Sequence, residues 1–203
     1  EKLKPTEVKK DMNLRTILST LNTSAGFKFY GKKKKFVKSY MVREALRMKR
    51  DVKSGKSLMK IPVQPFIAIT RSQLPAMSKK LKYVRPVNEK GEVNYKGRLV
   101  WCQDAALVLF EGQYARPLIN HCAENWYNIA MGKPPEAIRS MMCEISEDMS
   151  YWYSTDYAKY DSSVPALLIR HGFDIIKMCF EEEYHREIDF ICTKFIHADI
   201  MMP

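Results

Sequence analysis

The stretch Tyr151–Arg170, with the sequence YWYSTDYAKYDSSVPALLIR, constrains the fold more than any other part of the chain. Two aspartates, Asp156 and Asp161, lie five residues apart between an aromatic run and an apolar run. Residues five apart point to opposite faces of a strand and lie about 140° apart on a helix. Neither element alone brings the two carboxylates together. The pattern therefore requires a strand that ends near Asp156 and a helix that begins after Asp161.

The residues on either side favour this turn from strand to helix. The aromatic run is typical of a strand, which we predict over Met149–Tyr157. Ser162 and Ser163 are good helix-capping residues and Pro165 suits a first helical turn, so we predict a helix from Pro165 to His185. One face of that helix is predicted to pack against the core, and it carries Leu168, Gly172, Ile175, Ile176 and Cys179.

Two carboxylates at the exit of a buried strand suit a divalent metal ion. Aspartate oxygens are hard ligands, and Mg²⁺ is commonly held by one or two carboxylates together with substrate phosphates. The spacing D-x-x-x-x-D is nevertheless common, and two solvated loop aspartates that cap a helix would produce the same pattern. The residues alone leave both interpretations open.

Charge and composition limit the class of protein. The 203 residues carry a net charge of +11, which suits a polyanionic partner such as nucleic acid, although a basic protein without such a partner has the same charge. Basic residues dominate from Lys28 to Arg85, and the chain is acidic or balanced after Glu136. The five cysteines form no C-x-x-C pair, and no apolar run approaches the length of a membrane span. Both ends resemble cuts, so we expect the chain to be part of a longer protein.

Hydrophobic patterns and turn residues predict a succession of helices and strands before the aspartate pair. In chain order these are a helix over Thr6–Leu21, a loop over Asn22–Gly26, a basic helix over Phe36–Asp51, a strand over Val63–Thr70, a hairpin formed by Ser78–Val87 and Val93–Trp101, a helix over Ala105–Asn120 and a short helix over Glu136–Glu144.

The residues STDYAKYDSSVPALLIRHGFDII resemble the first palm motif of viral RNA-dependent RNA polymerases, in particular those of partitiviruses and picobirnaviruses. Three further stretches resemble motifs of that family in the expected order. NTSAGFKFYGKKKK is similar to the loop where template RNA enters the fingers. ITRSQL, KYVRPV and KGRLVW are similar to the basic fingers motif of the nucleotide tunnel, and ALVLFEGQYARPLI is similar to the helix that follows it.

The resemblance implies an α+β fold with the right-hand polymerase shape. Residues 1–145 would form the fingers, and residues 146–203 would form the first part of an incomplete palm. The implied reaction is template-directed nucleotidyl transfer for genome replication and transcription of a double-stranded RNA virus, with Mg²⁺ or Mn²⁺ in a two-metal site. The family's glycine-rich second palm motif and its Gly-Asp-Asp hairpin do not occur in the sequence, so we expect these residues to be inactive alone.

The resemblance also implies roles for individual residues. Asp156 would bind the catalytic metals, and Asp161 would recognise the 2′ hydroxyl of the incoming ribose. Lys96 and Arg98 would grip the nucleotide triphosphate, since a guanidinium can hold two phosphate oxygens. The remaining candidates are Arg71 and Arg85 for nucleotide binding, and Ser24, Gly26, Lys32, Lys33, Lys34 and Lys35 for RNA binding. Ser24 and Gly26 would touch the template backbone, and the lack of a side chain at Gly26 would let RNA approach closely.

Aromatic residues flank the lysine run, namely Phe27, Phe29, Tyr30 and Phe36. Interleaved rings and lysines suit single-stranded RNA, whose bases stack on rings while lysines follow the phosphates. The lysines could equally form a solvated charge run, and the rings could equally belong to the core.

The expected partners are template and product RNA, nucleoside triphosphates and the viral capsid protein, with no membrane. The expected location is the virion interior or the host cytoplasm. A rival from another class is a non-catalytic basic RNA-binding module, which explains the charge but not the aspartate pair. A reverse transcriptase is a second rival, and Asp161 argues against it because that enzyme does not select for a ribose hydroxyl.

Three other features point elsewhere and are weaker. SGKS at 54–57 resembles a phosphate-binding loop, but Arg50 stands where that motif needs glycine. His185, Cys192 and His197 could bind zinc, although their spacing matches no common site. Glu111, on an apolar helix, could pair with a tunnel arginine or lie at the surface.

Overall fold

The computed structural model describes residues 2–73, 96–126, 130, 132–147, 149–151, 153, 155 and 163–202, with the backbone alone at 70–73 and 96–99. In these residues the helices are α1 (Lys38–Lys53), α2 (Ala105–Asn125), α3 (Pro135–Glu147), α4 (Ala166–Met178) and α5 (His185–Ile196). The strands are β1 (Phe66–Gln73), β2 (Lys96–Cys102) and β3 (Ile200–Met201). The protein is therefore a mixed α and β structure with a small sheet, as expected at that level.

The three strands form one sheet in the order β2-β1-β3. Strands β1 and β2 pair antiparallel, from Ile67 opposite Cys102 to Gln73 opposite Lys96. Strand β3 pairs parallel with the start of β1, where Phe66 lies opposite Ile200. The predicted strands over Val63–Thr70 and Val93–Trp101 are confirmed in the residues that they share with β1 and β2. The predicted hairpin partner Ser78–Val87 lies outside the described residues.

The hydrophobic core lies where α1, α2 and α5 meet. The residues of α1 that are buried recur every three or four positions, which is the period of a helix with one face against the core. They join a cluster that includes Phe110 of α2 and Phe190 of α5, whose rings meet edge to face at 5.4 Å. Each such fully buried large side chain stabilises the fold by about 1.5–3 kcal/mol. The predicted basic helix over Phe36–Asp51 is thus confirmed as α1.

Helix α2 confirms the predicted helix over Ala105–Asn120 and extends it to Asn125. Its first turn is capped by Asp104, whose Oδ2 accepts a hydrogen bond from the backbone N–H of Ala106 at 3.1 Å. A capped first turn fixes where the helix begins, because one of the unpaired N–H groups at its end is satisfied. Helix α3 likewise contains the predicted helix over Glu136–Glu144.

The predicted helix over Thr6–Leu21 is wrong, since the structure has only a short 3₁₀ turn at Leu14–Thr16 in this segment. The backbone N–H of Thr6 donates to the carbonyl of Gln113, and that of Val8 donates to the Gln113 side chain. The start of the segment is therefore joined to α2 by hydrogen bonds from its backbone. Contacts with another element have overridden a local helical pattern.

The predicted strand over Met149–Tyr157 is also wrong for its described residues, none of which lies in a strand. Tyr151 and Tyr153 are 79% and 92% exposed. The β preference of aromatic residues reflects packing on a half-buried pleated surface, and the described side chains here have no such surface. Asp156 and Asp161 lie outside the described residues.

The predicted helix over Pro165–His185 is shorter than expected, because α4 ends at Met178. The chain then turns so that Phe180, which is fully buried, bridges to Leu3 and lies 5.5 Å from the Tyr114 ring. The predicted core face is wrong in part. Leu168, Gly172 and Ile175 are exposed, while the residues that pack on the core are Phe173, Ile176 and Cys179.

No helix in the part of the chain that the structure describes is both long enough and apolar enough to cross a membrane.

Candidate functional site

The two segments proposed to contact RNA, Asn22–Gly26 and Lys32–Lys35, form one unit in the structure. The Ala25 N–H donates to the carbonyl of Lys32 at 2.9 Å, and the Lys34 N–H donates to the carbonyl of Thr23 at 3.0 Å. Ser24 and Lys33 form an antiparallel bridge between these bonds. We call the two paired segments and the turn between them the loop–lysine unit. Because the backbone holds them together, the loop and the lysines present a single surface.

The loop–lysine unit is fastened to the start of α2 at Gly26. Its φ is +92°, a left-handed conformation that glycine adopts without strain. A Cβ at this position would lie 2.8 Å from the carbonyl oxygen of Gln103 and 2.9 Å from the Cα of Asp104. The Ala105 N–H also donates to the carbonyl of Ala25 at 3.2 Å. Packing within the protein thus explains why position 26 is a glycine. Contact of Gly26 with RNA stays a prediction.

The four lysines of the run Lys32–Lys35 differ in their surroundings. Lys32, Lys33 and Lys35 are exposed, and none of them forms a salt bridge within the described residues. Lys34 is half-buried, and its ammonium donates to Thr23 Oγ1 at 2.8 Å. Burial lowers the pKa of Lys34, because the charged form loses hydration. Three ammonium groups therefore remain without a carboxylate, which suits binding to phosphates.

The aromatic residues around the lysines divide into two groups. Phe29 is half-buried, packs against the core and meets the Tyr40 ring edge to face at 4.7 Å. Tyr30 and Phe36 are each 69% exposed, and Lys35 Nζ lies 5.1 Å from the centre of the Phe36 ring. The sequence left open whether these rings stack on RNA bases or belong to the core, and Phe29 belongs to the core. Tyr30 and Phe36 have the exposure that a base-stacking residue needs.

A groove of about 520 Å³ opens beside the loop–lysine unit. We call it the loop groove, and Arg15, Lys35 and Lys38 line it together with polar residues such as Asn13 and Asn22. No acidic residue is among the described residues that line it. Sequence reasoning missed Arg15 and Lys38, because it placed each on a different helix with nothing to indicate that they would meet.

Three of the candidate nucleotide-binding residues lie on the β1–β2 ribbon. Arg71 is the register partner of Arg98, and Lys96 is the register partner of Gln73. Positions two apart on a strand share a face, so positions 96 and 98 lie on the same face of the ribbon. The backbone thus brings positions 71 and 98 opposite each other, and binding of a triphosphate by these residues stays a prediction. Arg85 lies outside the described residues.

One comparison with known proteins gives a match that covers almost the whole chain. A family model described as viral RNA-dependent RNA polymerase matches residues 2–203. The chain belongs to this polymerase family. No curated protein and no solved structure gives a significant match. The family implies RNA-directed RNA polymerase activity on RNA and nucleotide substrates, and its members generally use divalent metals.

The metal site of the polymerase is predicted at Asp156, which the structure does not describe. Among the described residues, no group of three or more histidine, cysteine, aspartate or glutamate side chains is placed to hold a metal ion. The zinc interpretation of His185, Cys192 and His197, all of which are described, therefore finds no support. The donor chemistry of Asp156 fits Mg²⁺ or Mn²⁺, since carboxylate oxygens are the ligands that these ions prefer.

Glu111 does not pair with an arginine in the described part of the polymerase. Its Oε1 accepts a hydrogen bond from Gln103 Nε2 at 3.1 Å. Burial raises the pKa of Glu111 to about 7, and the bond from Gln103 opposes this shift only in part. Gln103 immediately precedes the Asp104 cap, so Glu111 helps to hold the segment against which Gly26 packs.

Proposed function

We propose that this polymerase chain belongs to a double-stranded RNA virus related to the partitiviruses and picobirnaviruses. It would guide template RNA and the incoming nucleotide during genome replication and transcription, with residues 1–145 as fingers and 146–203 as the first part of the palm. The observation that carries the proposal is the loop–lysine unit. A motif expected to guide template RNA is there joined by backbone hydrogen bonds to a run of lysines, of which Lys32, Lys33 and Lys35 have no carboxylate partner among the described residues.

In this proposal the template strand passes over the loop–lysine unit. Lys32, Lys33 and Lys35 contact its phosphates, and Lys34 supports the loop through its bond to Thr23. Tyr30 and Phe36 stack on unpaired bases, which is a common way for proteins to hold single strands without reading their sequence. Ser24 lies on the same paired segment, where its hydroxyl accepts a hydrogen bond from the Gly26 N–H at 3.3 Å.

The incoming nucleotide would bind beyond the loop, at the β1–β2 ribbon. Lys96, Arg98, Arg71 and Arg85 would hold its triphosphate, and Asp161 would accept the 2′ hydroxyl of its ribose. The register of Arg71 and Arg98 supports this assignment, because two guanidinium groups from paired positions can approach the same phosphate chain.

Asp156 would hold the catalytic Mg²⁺ or Mn²⁺. When bound, such ions stabilise the attacking 3′ oxygen and the leaving pyrophosphate. The chain's own contribution is to position the template and the nucleotide and to supply positive charge to the phosphates. No Gly-Asp-Asp tripeptide occurs in the sequence, so we expect no RNA synthesis by these residues alone. A capsid partner and a location in the virion interior or host cytoplasm also remain expectations.

The test is metal-dependent nucleotide binding by calorimetry, with the Asp156→Asn variant compared with the wild-type chain. Mutating residues that merely support a metal ligand commonly costs 10–100-fold in affinity, so replacing a ligand itself should weaken Mn²⁺-dependent nucleotide binding at least about tenfold. Asp11→Asn is the matched control, because Asp11 is exposed and lies in another part of the chain. If Asp156→Asn binds nucleotide as the wild type does while RNA binding persists, the chain is better described as a non-catalytic RNA-binding module.

A further inference from the structure

A second groove, larger than the loop groove, runs along one face of α1. Its volume is about 910 Å³, and five basic residues line it, namely Lys10, Arg43, Lys49, Arg50 and Lys53. No acidic residue is among the described residues that line it. We call it the helix groove. It contains none of the residues that the sequence or the family resemblance assigns to RNA or nucleotide binding.

The residues of α1 that line the helix groove follow the spacing of one helix face. Val42 and Leu46 form an apolar floor, and Ser39 and Lys53 mark the two ends of that face. At a rise of 1.5 Å per residue, the distance from Ser39 to Lys53 along the axis is about 21 Å. The groove is therefore a track along the helix with charges on its rim and apolar side chains beneath.

Local carboxylates neutralise only part of this charge. Lys49 forms a salt bridge with Glu7 at 3.0 Å, and Arg43 forms one with Glu44 at 3.3 Å. Within the described residues, Lys10, Arg50 and Lys53 have neither a salt bridge nor a side-chain hydrogen bond, and all three are exposed. Glu7 also attracts Lys53, which helps to lower the pKa of the Glu7 carboxyl, so Lys10 and Arg50 are the two cations of the groove that are left to attract a further anion.

We propose that the helix groove binds the sugar–phosphate backbone of single-stranded RNA, as a continuation of the path over the loop–lysine unit. Lys38 lines the loop groove and the next residue, Ser39, lines the helix groove, so the two basic surfaces adjoin at the start of α1. The identity of the ligand as RNA rests on the proposed function. The groove itself rests on geometry and charge.

The chemistry of the groove favours a single strand held without sequence preference. A volume of about 910 Å³ is of the size that takes a small ligand or a short stretch of chain, and an RNA duplex is far wider. The described lining contains no aromatic side chain on which a base could stack. Binding therefore depends on phosphates, and its free energy varies with salt concentration.

The experiment measures the salt dependence of binding of a labelled single-stranded RNA to the chain by fluorescence anisotropy. Each phosphate contact in a single strand contributes about 0.7 to the slope of log affinity against log salt, so replacing three cations should lower the slope by about 2. The test variant combines Lys10→Gln, Arg50→Gln and Lys53→Gln. The matched control combines Lys4→Gln, Lys60→Gln and Arg139→Gln, which remove the same charge from exposed positions outside both grooves.

A slope reduced in the test variant and kept in the control supports the proposal. Equal slopes in the two variants, or RNA displaced more readily by duplex than by unlabelled single strand, overturn it. Protection of lysines from acetylation in the wild-type chain is a second measurement that needs no variant: RNA should protect Lys10 and Lys53 but not Lys4 and Lys60, and uniform protection would contradict the proposal. The salt slope is measured without divalent metal ions or nucleotide, so failure of the groove and failure of the polymerase proposal are detected in separate assays.

Discussion

At the scale of single residues, Gly26 links the candidate RNA-binding surface to the fold. It adopts a left-handed conformation and lies directly against the backbone that precedes α2. Its carbonyl accepts a hydrogen bond from the Phe29 N–H, which begins the turn that leads into the lysine run. The position of three exposed lysines therefore depends on one residue without a side chain.

We predict that Gly26→Ala destabilises the chain and also weakens RNA binding. Gly26 combines a φ of +92° with a ψ of −172°, a backbone conformation that is essentially restricted to glycine and costs other residues about 1–3 kcal/mol. A Cβ placed 2.8 Å from the Gln103 carbonyl oxygen adds an overpacking cost of about 1–3 kcal/mol, because the neighbour is backbone and cannot rotate away. Denaturant unfolding followed by circular dichroism measures the sum.

Gly55→Ala is the matched control for this prediction. Gly55 has a φ of +80°, and nothing lies within 4 Å of the position that its Cβ would occupy. Gly55→Ala places a side chain at a positive φ where it meets no other atom, so Gly26→Ala should be the more destabilising of the two variants. Equal free energies of unfolding for the two variants would show that Gly26 is not packed as described.

At the scale of secondary structure, the sequence predicted best where a pattern is both local and long. Hydrophobic patterns were sufficient to place α1 and α2, and the structure adds the Asp104 cap at the start of α2. The segment Thr6–Leu21 failed because its apolar residues are buried by α2 rather than by a helical face of their own. Local patterns cannot show which distant element a segment meets.

The candidate site was also predicted only in part, and for the same reason. Motif resemblance picked out the loop and the lysine run, yet nothing in the sequence showed that hydrogen bonds such as that from Ala25 to Lys32 join them. Arg15 and Lys38 were missed for the same reason, since they reach the loop groove only through tertiary packing. Periodicity also misplaced the core face of α4. The helix has apolar residues on more than one face, and their spacing does not show which face meets the core.

For α4 we predict that Leu168→Gln changes the free energy of unfolding by less than about 0.5 kcal/mol, as is usual at exposed positions. Leu168 is 52% exposed, so little apolar surface returns to water. Ile188→Ala is the contrasting control. Ile188 is 1% exposed in α5, and its truncation should cost about 2–5 kcal/mol. A loss of that size for Leu168→Gln would instead support the core face predicted from the sequence.

At the scale of the whole molecule, the two grooves and the loop–lysine unit place a set of basic residues along one path beside α1. These residues account for part of the net charge of +11. A polymerase needs such a path, since it holds its template through many phosphate contacts, and these contacts do not depend on the template sequence. Our central prediction is that template RNA follows this path of basic residues.

The most direct measurement is photo-crosslinking of a 4-thiouridine-substituted single-stranded RNA to the chain, with the attachment sites mapped by mass spectrometry. We predict crosslinks at Tyr30, the most exposed ring of the loop–lysine unit, and at Phe36, the residue that directly follows the unit. The crosslinks should decrease when Lys32, Lys33 and Lys35 are replaced by glutamine. RNA that binds the chain but crosslinks only to residues after Glu136 would contradict the claim.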